Sequence, residues 1–354
     1  MLAGLYERVV DQRTGSGWRI PALDGLRGVA ALMVLVAHTR QACGFDGSLL
    51  WAPIERGGLG GVILFFALSG FLLYLPWLRS VLEHRPPPRF KSYAIRRCLR
   101  IMPAYYASVI VLAVLRVALG RGSIGFLALA MHFLFLPTLL TPLQIPYWTL
   151  QVEELFYWIL PAVHHVVVAL GAVRLVALAS AVSLLWGLVG FVTLSHAHYS
   201  IWLEQTPFFL PAFALGISTA VRWQAPGFEG RALFWLGVLV YVASAPVASY
   251  LTRECHWRTP TTEVLMAPAA SAIVLGAARG GARFLERPTM RFLGAISFSI
   301  YLWHAVVIHL VPVPRAFETF GPRVGYTVAL TIPLALASYL VIERPFLMLR
   351  PRPA

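Results

Sequence analysis

Apolar runs of about 20 residues, parted by charged or Pro/Gly-containing breaks, recur from one end of this chain to the other. A run of that length crosses the roughly 30 Å hydrocarbon core of a bilayer as a helix. Within hydrocarbon, only helices and closed barrels satisfy their own backbone. Runs near 23–40, 57–78, 101–118, 148–169, 172–193, 206–222, 232–249, 262–278, 292–312 and 324–343 therefore predict an all-α, polytopic membrane bundle of about ten transmembrane helices. It reads as a single integral membrane domain over 1–354. Charged residues are 12% of the chain and hydrophobic ones 58%, where soluble proteins are about a quarter charged. The net charge of +14 is accordingly read as arginine anchoring at the membrane border, and no nucleic-acid partner is expected.

One further run, 124–140, is short and ends among prolines. If it does not cross, both termini face the cytoplasm, and 21 Lys and Arg residues lie inside against 8 outside. If it does cross, the bias falls to 15 against 14. The positive-inside rule favours ten spans, with 124–140 as an interfacial or re-entrant segment. The longest polar stretch, 79–100, is expected to form a cytoplasmic basic amphipathic loop. It either anchors to lipid headgroups or offers an electrostatic landing site for an anionic substrate.

Ionisable groups inside such spans are costly and point to function. Arg27 and His38 share the first span, roughly 16 Å apart along its axis at about 1.5 Å per residue. Glu153 and Glu154 open the fourth span and His304 lies in the ninth, at an expected depth similar to that of His38. An imidazole beside a carboxylate is equipped to take a proton from a hydroxyl as it attacks a thioester. Ser69 lacks a nucleophile-elbow context and is read as a small packing residue. Two Glu-Arg-Pro triplets, at 286–288 and 343–345, either cap helix ends with ion pairs or frame a phosphate. Cys43, Cys98 and Cys255 have no metal spacing, and His196 and His198 lack partners at ligand spacing, so no metal is expected.

The motifs Leu23-Asp-Gly-Leu-Arg-Gly…His38, Gly61-Val-Ile-Leu-Phe-Phe-Ala-Leu-Ser-Gly-Phe-Leu72, Arg96-Arg-Cys-Leu-Arg-Ile-Met-Pro-Ala-Tyr-Tyr106, Trp148-Thr-Leu-Gln-Val-Glu-Glu-Leu-Phe-Tyr157, Phe292-Leu-Gly-Ala-Ile-Ser-Phe-Ser-Ile-Tyr-Leu-Trp-His304 and Ile342-Glu-Arg-Pro-Phe346 stand in that order. As an ordered set they resemble the membrane acyltransferase-3 family. That family moves acyl groups, commonly acetyl from acetyl-CoA, to hydroxyls of sugars, lipids and antibiotics. The resemblance implies that Arg27 and His38 are the essential pair and Glu153 the motif glutamate. Gln151 and Leu155 depart from residues frequent in the family. Many relatives carry a soluble esterase-like domain at the C terminus, which this chain is expected to lack.

The expected protein is thus an inner-membrane O-acyltransferase. Acyl-CoA would enter from the cytoplasm, with its phosphates on Arg27, Arg96, Arg97 and Arg100. His38, oriented by Glu153, would be the general base for a glycan, glycolipid or macrolide hydroxyl. Tyr157, Trp303 or Ser299 would donate to the oxyanion, and His304 would line the substrate site. The alternative is a transporter or flippase for a glycoconjugate, which would need no such chemistry.

Overall fold

A computed structural model describes residues 19–44, 48–120, 122–136, 147–194, 205–254 and 260–351, with side chains throughout except at 251–254 and 260–265. Every regular element among them is helical. Cys255, His196 and His198 fall outside the described residues, as does 137–140 of the ambiguous run.

Helix α1 (Pro21–Ala42) opens with proline in its first turn, where the missing N–H costs no hydrogen bond. A short helical stretch over 49–55 leads into α2 (Gly57–Leu82). Then follow α3 (Phe90–Ala118), α4 (Phe126–Phe133), α5 (Trp148–Leu170) and α6 (Ala172–Thr193). The remainder comprises α7 (Thr206–Arg222), α8 (Gly230–Glu254), α9 (Pro260–Ala278), α10 (Pro288–Ala295), α11 (Ser297–Leu310) and α12 (Phe320–Ser338). A π-helical turn over Tyr339–Glu343 joins α12 to the short α13 (Arg344–Met348). Among the described residues, seven helices are long and apolar enough to cross a bilayer, or eight if α10 and α11 count as one bent span. The protein is a multi-pass membrane bundle.

Three local outcomes refine the sequence reading. Residues 90–100 do not form a separate surface helix: they are the first turns of the 29-residue α3, which continues past Pro103 without a break. At 1.5 Å per residue α3 is about 43 Å long, so it overshoots the hydrocarbon core. The described part of 124–140 forms only the eight residues of α4, about 12 Å of helix and too little to cross. The predicted span 292–312 is broken, with α10 and α11 meeting at 69° across Ile296.

Helix α1 runs through the centre of the bundle. Leu23, Leu26, Ala30 and Val34 face the main core, whereas Ala31 and Leu35 face a second one built by α10, α11 and α12. Glycines let its neighbours approach: a Cβ on Gly294 would stand 1.7 Å from the Asp24 carbonyl oxygen, and one on Gly25 2.1 Å from that of Leu285. Helices α2 and α7 cross in the same way, Gly70 against the Phe213 carbonyl and Gly216 against that of Ala67, each at 2.2 Å. Small residues at such crossings supply the close packing that holds membrane helices together. Helix α6, by contrast, buries only Leu175, Ala179, Ser183, Gly187 and Gly190, and presents Leu184, Leu185, Phe191 and Val192 outward, as a lipid-facing helix should.

Candidate active site

Arg27 and His38 are eleven residues apart, and eleven steps of 100° return to within about 20° of the starting direction, so both project from one face of α1. Helix α2 runs antiparallel beside them. A Cβ on Gly61 would meet the Ala30 carbonyl oxygen at 2.8 Å, and one on Gly58 would lie 3.9 Å from Nε2 of His38. Gly58 and Ser69 are also eleven residues apart, so α2 offers a second face that spans the same two depths.

At the His38 end, Nδ1 of His38 lies 2.8 Å from Nε2 of His304, and the two rings stack with centroids 5.1 Å apart. The other nitrogen of His304, Nδ1, lies 2.7 Å from the Tyr301 carbonyl oxygen. A carbonyl only accepts, so His304 carries its hydrogen on Nδ1 and accepts at Nε2. His38 must then donate from Nδ1, which leaves its Nε2 lone pair free. That nitrogen is at a cavity of about 220 Å³ lined in part by His38, Gln41, Glu55, Gly58, Trp148 and Thr149. The Thr149 and Tyr301 hydroxyls are hydrogen-bonded to each other. Beside the cavity Arg40 pairs with Glu55 at 3.7 Å, donates to the Gly44 carbonyl at 2.9 Å and lies over the Trp51 ring.

At the Arg27 end the polar groups are organised differently. Ser69 donates to Oε1 of Glu153 at 2.7 Å, and the Tyr157 hydroxyl donates to the same oxygen. Arg27 lies in electrostatic reach of Arg100, Glu153, Tyr157 and Asp24. The Arg97 guanidinium lies over the Tyr157 ring at 5.8 Å and the Tyr93 ring at 5.9 Å. On the other side Ser299 donates to Glu343, which lies in the electrostatic reach of Arg100, Arg27 and Arg350.

The expected pairing of Glu153 with His38 is therefore not formed. Glu153 is one and a half turns below Trp148, its Oε1 is held by Ser69 and Tyr157, and the group against His38 is His304. Equal depth read from hydropathy could not separate a carboxylate bonded toward Arg27 from an imidazole bonded toward His38. Of the expected oxyanion donors, the Tyr157 and Ser299 hydroxyls are committed to carboxylates, while the buried Nε1–H of Trp303 has no hydrogen-bond partner. Arg97 and Arg100 join the Arg27 cluster, whereas Arg96 has Arg97 and Tyr93 as its electrostatic neighbours and lies to one side. Sequence reasoning passed over Gly58, Thr149 and Arg350, and took Ser69 for packing. The eleven-residue interval shared by the pairs Arg27/His38 and Gly58/Ser69 was the available signal.

Among the described residues, no three His, Cys, Asp or Glu side chains converge in a metal-holding group.

A family model described as an acyltransferase domain, that of acyltransferase 3, matches residues 20–342. The chain is 28% identical over 301 residues to "Putative acetyltransferase ORF330" of Acidianus two-tailed virus, covering 83% of this chain and 84% of the viral protein. It is 27% identical over 340 residues to acyltransferase MdmB of Streptomyces mycarofaciens, covering 87% and 82% of the two chains. A "Putative O-acetyltransferase" of Staphylococcus aureus (strain COL) is 25% identical over 365 residues, covering 92% of this chain and 57% of its own length, so this chain spans little more than half of that relative. No solved structure matches the chain.

Proposed function

This chain belongs to the acyltransferase-3 family and is a membrane acyltransferase; we propose that it moves an acyl group, acetyl by preference, from acyl-CoA to a hydroxyl of a sugar, glycolipid or glycosylated natural product. One observation carries the chemistry: the hydrogen-bonded line from the Tyr301 carbonyl through His304 to His38, which leaves a basic Nε2 at the cavity beside Gly58.

In the proposed reaction Nε2 of His38 removes the proton of the acceptor hydroxyl as its oxygen forms a bond to the thioester carbonyl carbon. The tetrahedral intermediate collapses by breaking the C–S bond, and the departing thiolate takes the same proton back from Nε2. His304 is a positioning residue. It fixes the tautomer of His38 and, through the Tyr301 carbonyl, helps to carry the charge that appears on the paired rings. Thr149, Gln41 and Glu55 offer hydrogen bonds to a polyhydroxyl acceptor, and Trp148 offers an aromatic wall. The donor's phosphates fall to Arg27, Arg97 and Arg100. A pantetheine arm bridges the roughly 16 Å from Arg27 to His38. The proposed orientation, with this arginine end in the cytoplasm of an inner membrane, is supported by the excess of basic residues expected on that side and suits a cytoplasmic supply of acyl-CoA. Holding two substrates at opposite ends of one helix face would itself lower the barrier.

The transporter reading has less support, since α10 and α11 form the one bent pair among the described helices, whereas inverted-repeat carriers show two in corresponding positions. The test is thiol release from acetyl-CoA by the protein in nanodiscs, with a panel of glycan and glycolipid extracts. Acceptor-dependent release that is lost in His38→Ala supports the proposal; release that is equal in His38→Ala contradicts it.

A further inference from the structure

The last turn of the chain brings an additional cation to the Arg27 end. Through its π-helical turn, the segment that follows α12 packs against α3 and continues into α13 against the same helix. That turn aims Glu343 inward to Ser299, both residues being at least 96% buried, and brings Arg350 beside Arg97 and Arg100. Single π turns inside α-helices recur at functional sites because they redirect a side chain that a regular helix would aim elsewhere.

Four guanidinium groups, those of Arg27, Arg97, Arg100 and Arg350, with Glu154 in electrostatic reach of Arg97 and Asp24 of Arg27, thus converge on a region whose hydroxyl-bound carboxylates are Glu153 and Glu343. Among the described residues, none of the four lies within 4 Å of a carboxylate oxygen as an ion pair. Both carboxylates spend Oε1 on hydroxyl groups. Nε of Arg27, Nε of Arg97, and Nε and Nη2 of Arg350 are buried without hydrogen-bond partners. Burial, with repulsion from Arg100 and Arg97, pushes the Arg350 guanidinium below its ordinary range. Buried donors without acceptors and like charges in low dielectric are both costly. Guanidinium forks of this kind match phosphate oxygens in geometry as well as charge.

We propose that Arg350 closes the phosphate-binding site for the acyl donor, joining Arg27, Arg97 and Arg100, with Glu343 held by Ser299 as the spacer that keeps the cluster open. This rests on the acyl-CoA reading above. It adds a residue that lies beyond the matched family domain and makes the C-terminal turn a donor-binding element.

The experiment measures CoA binding and thermal unfolding for the full chain in zwitterionic and in anionic-lipid nanodiscs. It compares wild type, Arg350→Ala, Arg350→Lys and, as a charge-matched control, Arg174→Ala, whose side chain is exposed at the start of α6. The proposal expects CoA affinity to fall about tenfold or more in Arg350→Ala, the effect of losing a charged hydrogen bond. Arg350→Lys should be intermediate and Arg174→Ala unchanged. Without CoA, Arg350→Ala should melt no lower than wild type, because a repelling cation has been removed. A CoA affinity that Arg350→Ala leaves unchanged overturns the inference alone. So does a variant that melts lower without CoA, or one whose defect appears only with anionic lipid, which marks a headgroup anchor. Wild type that binds no CoA overturns the donor reading and this inference together.

Discussion

The two ends of α1 are built on opposite principles. Around His38 one hydrogen-bonded line is already made: the Tyr301 carbonyl fixes His304, His304 fixes His38, and a single lone pair is left over. Around Arg27 the polar groups are abundant but unreconciled, with guanidinium N–H groups buried and unpartnered and carboxylates already held by hydroxyls. The first arrangement is complete before any substrate arrives, as preorganised acid–base machinery must be. In the proposed reading the second is completed by the donor's phosphates. A chemical centre gains from fixed dipoles, whereas a binding site stores unsatisfied donors for its ligand, and stability is given up at such sites.

Mutations at the two ends should therefore separate turnover from donor affinity. The largest effect is expected for His38→Ala: loss of a general base lowers turnover by about 10²–10⁴-fold, while CoA affinity by calorimetry stays at the wild-type value. Next comes His304→Ala, which frees the His38 tautomer. Turnover should fall by about 10²-fold with the KM for acetyl-CoA unchanged, and His304→Gln, which restores an acceptor near Nε2, should recover part of the loss. At the other end Arg27→Ala should raise the KM for acetyl-CoA about tenfold or more, equivalent to about 1.5–3 kcal/mol for a charged hydrogen bond, with a smaller effect at high ionic strength, where salt screens the charge, and partial recovery in Arg27→Lys. The smallest change in activity belongs to neither end. Gly216→Ala forces α2 and α7 apart at the Ala67 carbonyl and should cost about 1–3 kcal/mol of stability, read as a lower melting temperature in detergent with the ratio of turnover to KM close to wild type.

Much of this comparison was legible in the amino-acid chain, for definable reasons. Hydropathy reports spans because hydrocarbon tolerates little else, so the bundle and its ten helical regions were within reach, as was the shortness of the helix in the described part of 124–140. The Arg27/His38 pair stood out because charge at that depth is expensive. Contacts between helices distant in sequence were not accessible in the same way. Depth alone put Glu153, His38 and His304 together, and only packing shows that Ser69 and Tyr157 hold Glu153 while His304 meets His38. The bend at Ile296 and the π turn at Tyr339–Glu343 left no hydropathy signal, since a redirected helix keeps the same composition. Arg350 read as one more terminal anchor until its neighbours were known.

One measurement bears most directly on the division of labour along α1: CoA binding and acceptor-dependent thiol release, determined in parallel for His38→Ala and Arg27→Ala in the same nanodiscs. The account predicts that His38→Ala binds CoA like wild type and releases thiol at least about 10²-fold more slowly, while Arg27→Ala binds CoA at least about tenfold more weakly. It is contradicted if His38→Ala loses CoA binding, or if Arg27→Ala binds CoA as tightly as wild type.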